Sequence, residues 1–147
     1  MRISTRARYG MQAMLALALD EGAGPLAAKE IAERRGLPEH YLEQLITPLR
    51  RAALVISARG AQGGYVLARP ASSITLLEIV EAVDGPFAVE QCGCPAGAAH
   101  LHGFCLEHAL WAELKQAVDA FLDARTLADL RDQAQAVGHA AVPLYDI

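Results

Sequence analysis

The 147-residue sequence predicts a mainly α-helical chain with one small β-hairpin: a helix-turn-helix, a hairpin wing and a long helix suited to dimerisation. Three observations carry this reading. Apolar residues recur at helical spacing around 5–19, 41–49 and 110–121. Gly36 separates two short helical patterns, as a tight turn separates a helix pair. Directly after the second pattern, the β-prone segments Val55–Ser57 and Tyr65–Leu67 flank a Gly-rich tip.

Taken in order, Ser4 and Thr5 cap a helix running to about Leu19, with Ala13, Met14 and Leu17 on its apolar face. The break EGAGP follows, then a short helix over 27–35 with Ile31 inward. In the next helix Tyr41, Leu42, Leu45, Ile46 and Leu49 form the apolar stripe. Pro48 lies inside that stripe and predicts a kink or a break near Thr47. The hairpin ends at Pro70, and residues 72–85 read as a helix capped by Ser73 and stopped at Gly85-Pro86. From about Leu106 a long helix begins. Leu110, Leu114, Ala117 and Phe121 are spaced 4, 3 and 4 apart, a heptad seam that predicts a dimer helix. A short terminal helix starts near Thr126, and the rest reads as a tail. The predicted division is therefore 1–85, a winged helix-turn-helix; 86–105, a Cys/His loop; 106–130, the dimerisation helix with the short terminal helix; and 131–147, the tail.

The net charge of −4 conceals an asymmetry. Residues 1–70 hold ten Lys/Arg against six Asp/Glu, a balance of +4, and residues 71–147 hold three against eleven, a balance of −8. A basic half attracts phosphate even in an acidic protein. No apolar run approaches the roughly 18 residues of a membrane span, and no secretory leader is recognisable at Met1. A cytoplasmic protein without a membrane partner is expected. The chain lacks a Gly fingerprint for nucleotides and any readable nucleophile–base constellation, so it is not expected to be an enzyme.

The layout and charge predict binding to double-stranded DNA. A reading helix would offer His40, Glu43 and Gln44 to base edges, where Gln suits adenine and Glu accepts from the cytosine amino group. Arg50 and Arg51, at the helix's far end, suit phosphate. Arg59 on the thin wing suits a narrow minor groove. Arg2, Arg6 and Arg8 are placed to meet the backbone. A two-fold dimer implies a near-palindromic operator.

All three cysteines lie in QCGCPAGAAHLHGFCLEHALW. Cys92, Cys94, Cys105 and His108 form C-x-C-x10-C-x2-H. Three thiols and an imidazole suit zinc or an iron–sulfur cluster, and the spacing does not separate the two. His100 and His102 are competing ligands. An odd cysteine count in a reducing compartment argues against a disulfide scaffold.

The stretches MRISTRARYGMQAMLALAL, YLEQLITPLRRAALVISARGAQGGYVLARPASSITLLEIVEAVD and CLEHALWAELKQAVDAFLDARTLADL resemble the IscR-type winged-helix regulators over residues 1–130. The resemblance implies a homodimer with crossed dimer helices and a cluster loop between them and the DNA-binding part. It implies a [2Fe–2S] cluster held by three cysteines and one histidine, with Cys92, Cys105 and His108 matching three of the ligands. The middle cysteine departs from the family's even spacing: Cys94 sits close to Cys92, and Gly97–Ala99 hold no ligand, so His100 or His102 stand as substitutes. The nitric-oxide-sensing branch, with a [4Fe–4S] cluster, has an acidic residue where this chain has Arg8, which favours the [2Fe–2S] branch. Pro38 and His40 replace small polar residues at the start of the family's reading helix, while Glu43 is retained.

Overall fold

The computed structural model describes residues 3–87 and 104–139, without the side chains of 104–108, 138 and 139. It contains helices α1 (Thr5–Leu19), α2 (Ala28–Arg35) and α3 (Glu39–Arg51), strands β1 (Val55–Ala58) and β2 (Gly64–Leu67), and helices α4 (Leu76–Asp84), α5 (Phe104–Asp123) and α6 (Leu127–His139).

Helix α1 begins as its sequence requires: Ser4 Oγ accepts from the Ala7 amide at 2.9 Å. Its buried positions are mostly small, with Ala7, Gly10, Ala13, Ala16 and Ala18 beside Met14 and Leu17. Helices α2, α3, α4 and α6 and strand β2 all lie against it. Helix α2 closes at Gly36, whose φ of 62° is the left-handed stop expected there.

Helix α3 runs unbroken through Pro48 to Arg51, so the expected break near Thr47 does not occur. Pro48 deprives only the Gln44 carbonyl of its helical donor, and Gln44 is exposed. The stripe Leu42, Leu45, Ile46 and Leu49 is fully buried and outweighs the local penalty. The helix ends on a feature with no sequence signal. The Leu54 amide donates to Leu49 O and the Ala53 amide to Arg50 O, each at 3.0 Å, while Ala53 itself takes a left-handed φ of 55°. This is the double-bonded helix stop usually built on glycine.

The hairpin pairs Val55 with Leu67 through Ala58 with Gly64, antiparallel. It is widened by one residue from the loop before α2: Leu26 and Tyr65 exchange backbone bonds of 3.0 and 2.8 Å. The next residue, Gly64, is pressed on that loop, and a Cβ there would lie 2.3 Å from Leu26 O.

Helix α4 is capped by Thr75, not by Ser73 as the sequence suggests. Thr75 Oγ1 accepts from the Glu78 amide at 3.2 Å, and Glu78 Oε2 accepts from the Thr75 amide at 2.8 Å. Ser73 lies in a preceding 3₁₀ turn, its hydroxyl bonded to Pro70 O. Burial works against the charge of Glu78, but Arg69 and the Thr75 amide outweigh it and hold its carboxyl below the usual range.

Helix α5 returns to this point. The Leu76 amide donates to Arg125 O at 2.9 Å and the Leu127 amide to Ile74 O at 2.8 Å, joining the α5–α6 corner to the start of α4. A second reciprocal cap, Thr126 with Asp129, starts α6 beside the first. Leu127 and Ala128 enter the core formed by Met14, Ile31, Leu42, Leu49, Leu54 and Ile79. Residues 131–139, read from sequence as tail, continue α6, and Arg131 bonds Glu21 at the end of α1 at 2.8 Å. Among the described residues no helix is long and apolar enough to cross a membrane.

Two substitutions probe these turns by urea unfolding. Gly64→Ala lowers stability by about 2 kcal/mol or more, because rigid backbone meets the new methyl. Ala53→Gly raises it by about 1 kcal/mol, the excess of left-handed strain over glycine's entropy cost. Unchanged midpoints in both would contradict the described packing.

Candidate nucleic-acid interface and the cysteine segment

Four buried side chains on one side of α3 fix what the other side shows. His40, Glu43, Gln44, Thr47, Arg50 and Arg51 are all exposed, at the three- and four-residue spacing of a single helix face. The first turn of α3 is steadied by Tyr41, whose ring meets Tyr9 of α1 edge-on at 88° with centroids 5.4 Å apart. The sequence-predicted reading residues therefore stand together.

At the far end of α3, Thr47, Arg50 and Arg51 face Val55, Ile56 and Ser57 of β1 across an open concavity of about 590 Å³. Its lining holds two cations, two hydroxyls and no acid. Such a surface suits an anionic oxygen, with the guanidinium groups supplying charge and the hydroxyls supplying hydrogen bonds. The sequence puts Thr47 on the polar face of this helix without marking it as a contact, and marks no such role for Ser57. The signal for Thr47 is present, as the next step of the 40, 43/44, 47 series. Ser57 joins only through the pairing of the hairpin. Arg59 lies beyond, exposed on the wing, where the turn closes through the Gly63 amide to Gly60 O at 3.0 Å.

The structure sorts the arginines by use. Arg34 bonds Asp20 and Glu30, Arg69 bonds Glu78, and Arg131 bonds Glu21. Arg125 bonds Phe121 O at the end of α5 and stacks 3.6 Å above the Phe121 ring. Burial, and then the neighbouring Arg34 charge, lower the pKa of Arg35. Arg6, expected beside Arg2 and Arg8 as a backbone contact, is exposed and donates from Nε to Val83 O at 2.7 Å. Arg8, Arg50, Arg51 and Arg59 are exposed and, among the described residues, have no ion pair or hydrogen bond to an acid. Arg2 lies outside the described residues. Among the described residues, the exposed arginines without an acidic partner thus stand on α1, α3 and the wing, and the part-buried Arg35 of α2 also lacks one.

On α5, Leu110, Leu114, Ala117 and Phe121 are exposed, together with Trp111. Half or more of Leu110 and Phe121 is open, at 58% and 56%. Exposed leucines and aromatics in one row are more typical of association surfaces than of solvated faces.

Cys92 and Cys94 lie outside the described residues, as do His100 and His102. Cys105 and His108 fall at the start of α5, three positions apart, with side chains outside the description. That spacing places both positions on the same side of the helix.

Residues 3–133 match the Rrf2 family, described as iron-dependent transcriptional regulators. The HTH-type transcriptional regulator IscR of Escherichia coli K12 is 42% identical over 134 residues, covering 88% of this chain and 80% of that protein. CymR, the global cysteine regulator of Bacillus subtilis, has a solved structure that matches at a TM-score of 0.77 with 42% identity, over 90% of this chain and 98% of that one. IscR of T. potens matches at a TM-score of 0.77 with 38% identity, over 99% and 94%. With a helix-turn-helix, a hairpin wing and this extent of identity, the chain belongs to the Rrf2 family of transcriptional regulators and is of the IscR type.

Proposed function

We propose that this chain acts as a homodimer that reads a near-palindromic operator, with its affinity set by a [2Fe–2S] cluster between the DNA-reading and dimerising parts. The observation that carries the DNA half is the sorting of charge. Arg34, Arg69 and Arg131 are paired with acids, and the exposed arginines without an acidic partner lie on α1, the end of α3 and the wing. In this reading α3 enters the major groove, presenting His40, Glu43 and Gln44 to base edges. Arg50 and Arg51, with Thr47 and Ser57, receive the phosphates at its margin, and Arg8 and Arg2 meet the backbone. Arg59 enters the adjacent minor groove.

The association surface is the row Leu110, Leu114, Ala117 and Phe121, covered by its own copy. A pair of α5 helices would set two α3 helices at a fixed separation, which is what a two-fold operator requires.

The donor set fits an iron–sulfur centre. Cys92, Cys94, Cys105 and His108 supply three thiolates and an imidazole, soft enough for iron in this form. When bound, the cluster supplies an iron centre whose presence or loss is the signal. The chain's own part is to hold Cys105 and His108 one helical turn apart on α5, the helix that also carries the association surface. Support comes from the family's description as iron-dependent and from the IscR relatives.

A second reading is a cluster-free regulator answering to a sulfur metabolite or holding zinc. It is favoured by the likeness to a cysteine regulator and by the crowding of Cys94 on Cys92. A [4Fe–4S] nitric-oxide sensor is less well supported, because Arg8 stands where an acid is wanted.

Metal content decides among these. Protein purified without oxygen should carry about two irons and two sulfides per subunit and absorb in the visible. Cys105→Ala should lose the iron and keep its helical circular dichroism. Four irons per subunit would point to the nitric-oxide reading, and zinc or no metal to the second. For the DNA half, Arg59→Ala should weaken binding to a library-selected duplex about tenfold and reduce the slope of log affinity against log salt by about one. An unchanged affinity and slope would remove the wing from the interface.

A further inference from the structure

Helix α4 ends where the cysteine segment begins, and its last turn is clamped to the first turns of α1. Arg6 Nε donates to Val83 O at 2.7 Å, joining residues 77 apart in sequence. The last carbonyls of a helix lack helical donors and carry the negative end of its dipole, so a guanidinium is well suited to that place. Within α1 the same charge is poorly placed, because a cation in the first turn opposes that helix's own dipole. Arg6 is explained by α4 and not by α1.

One turn further on, buried Gly10 lets the two helices touch. A Cβ at Gly10 would lie 3.0 Å from both Val83 methyl carbons. Immediately after this contact α4 ends at Gly85, at φ 82°. Tyr9, between Arg6 and Gly10 in sequence, packs edge-on against Tyr41 in the first turn of α3. Arg8, in the same stretch of α1, is exposed and unpaired among the described residues. One stretch of five residues thus touches the last turn of α4, the helix that precedes the cysteine segment in sequence, through Arg6 and Gly10. It touches the DNA-reading helix through Tyr9.

We propose that residues 6–10 of α1 are the coupling element of this regulator. Arg6 and Gly10 are positioning residues that transmit the state of the cysteine segment from the end of α4, through Tyr9 and Tyr41, to the reading turn of α3. This rests on the reading that the segment holds a metal centre. A centre shifts DNA binding only as far as it favours one arrangement of this contact over another. Tightly packed contacts such as Gly10 on Val83 pass on displacements of a few tenths of an ångström, because they have no free volume to absorb them.

The test compares operator affinity of metal-loaded and metal-free protein, using a duplex selected from a random library by the parent chain. The parent should show a ratio of about fivefold or more between the two forms. Arg6→Ala should bring that ratio below about twofold while iron content and helical dichroism stay at parental values; Arg6→Lys, which keeps a cationic donor, should restore most of it. Gly10→Ala should also reduce the ratio, and the double variant Gly10→Ala/Val83→Ala, which removes the clash, should recover it. In metal-free protein, amide hydrogen exchange across residues 39–42 should quicken severalfold in Arg6→Ala. A parental ratio in iron-replete Arg6→Ala and Gly10→Ala overturns the proposal, as does unchanged exchange at 39–42. If the parent itself shows no difference between the two forms, the sensing reading fails and the coupling role fails with it.

Discussion

The close approach permitted by the small side chains of α1 is the constraint on which the other elements depend. Gly10, Ala13, Ala16 and Ala18 are buried on a helix that touches α2, α3, α4, α6 and β2. Large residues at those places would hold the surrounding helices apart and open voids between them. Bulk is supplied instead by the neighbours, through Ile31, Leu42, Leu45, Leu49, Ile79 and Leu127, all essentially closed to solvent. Helix α3 therefore owes its position to small residues on α1, away from its own exposed face.

That division has an electrostatic counterpart. A rigid interior lets a cation be either a fastener or a free group, and here the two uses are kept on different surfaces. Arg34, Arg69, Arg125 and Arg131 fasten loops and helix ends. Each such exposed pair contributes only modestly to stability, typically under about 1 kcal/mol. The pairs of Arg34, Arg69 and Arg131 with acids also offset those three charges locally, whereas Arg50, Arg51 and Arg59 keep theirs exposed on α3 and the wing.

Much of this was legible in the sequence. The order of elements, the hairpin and the exposed row His40, Glu43, Gln44, Arg50 and Arg51 follow from periodicity alone, because burying a stripe on one side exposes the other. What was not legible depended mostly on distant partners, and in one case on a local reciprocal cap. Pro48 breaks isolated helices, yet α3 continues because its stripe is anchored in the core. Ser73 and Thr75 are both plausible caps, and the choice is made by Glu78, which completes a reciprocal pair only with Thr75. Arg6 looked like another open cation because its acceptor, a backbone carbonyl, has no signature in a sequence. Helix α6 was cut short because residues 131–139 are weakly patterned; Leu127 in the core and Arg131 on Glu21 supply what the pattern lacks. The two thiols at 92 and 94 lie outside the described residues, so their place in the site rests on chemistry and resemblance.

The backbone bonds between Arg125, Leu127 and the start of α4 give α5 the mechanics of a mast stepped at its foot. Its 20 residues reach about 30 Å at 1.5 Å per residue. Any tilt about the fixed end is therefore magnified along the helix: 5° moves the far end by roughly 2.6 Å over that length. Cys105 and His108 stand at the end with the greatest travel, and Phe121 near the end with the least. A shift too small to disturb the foot of the helix is thus a displacement of bond-length scale at the head.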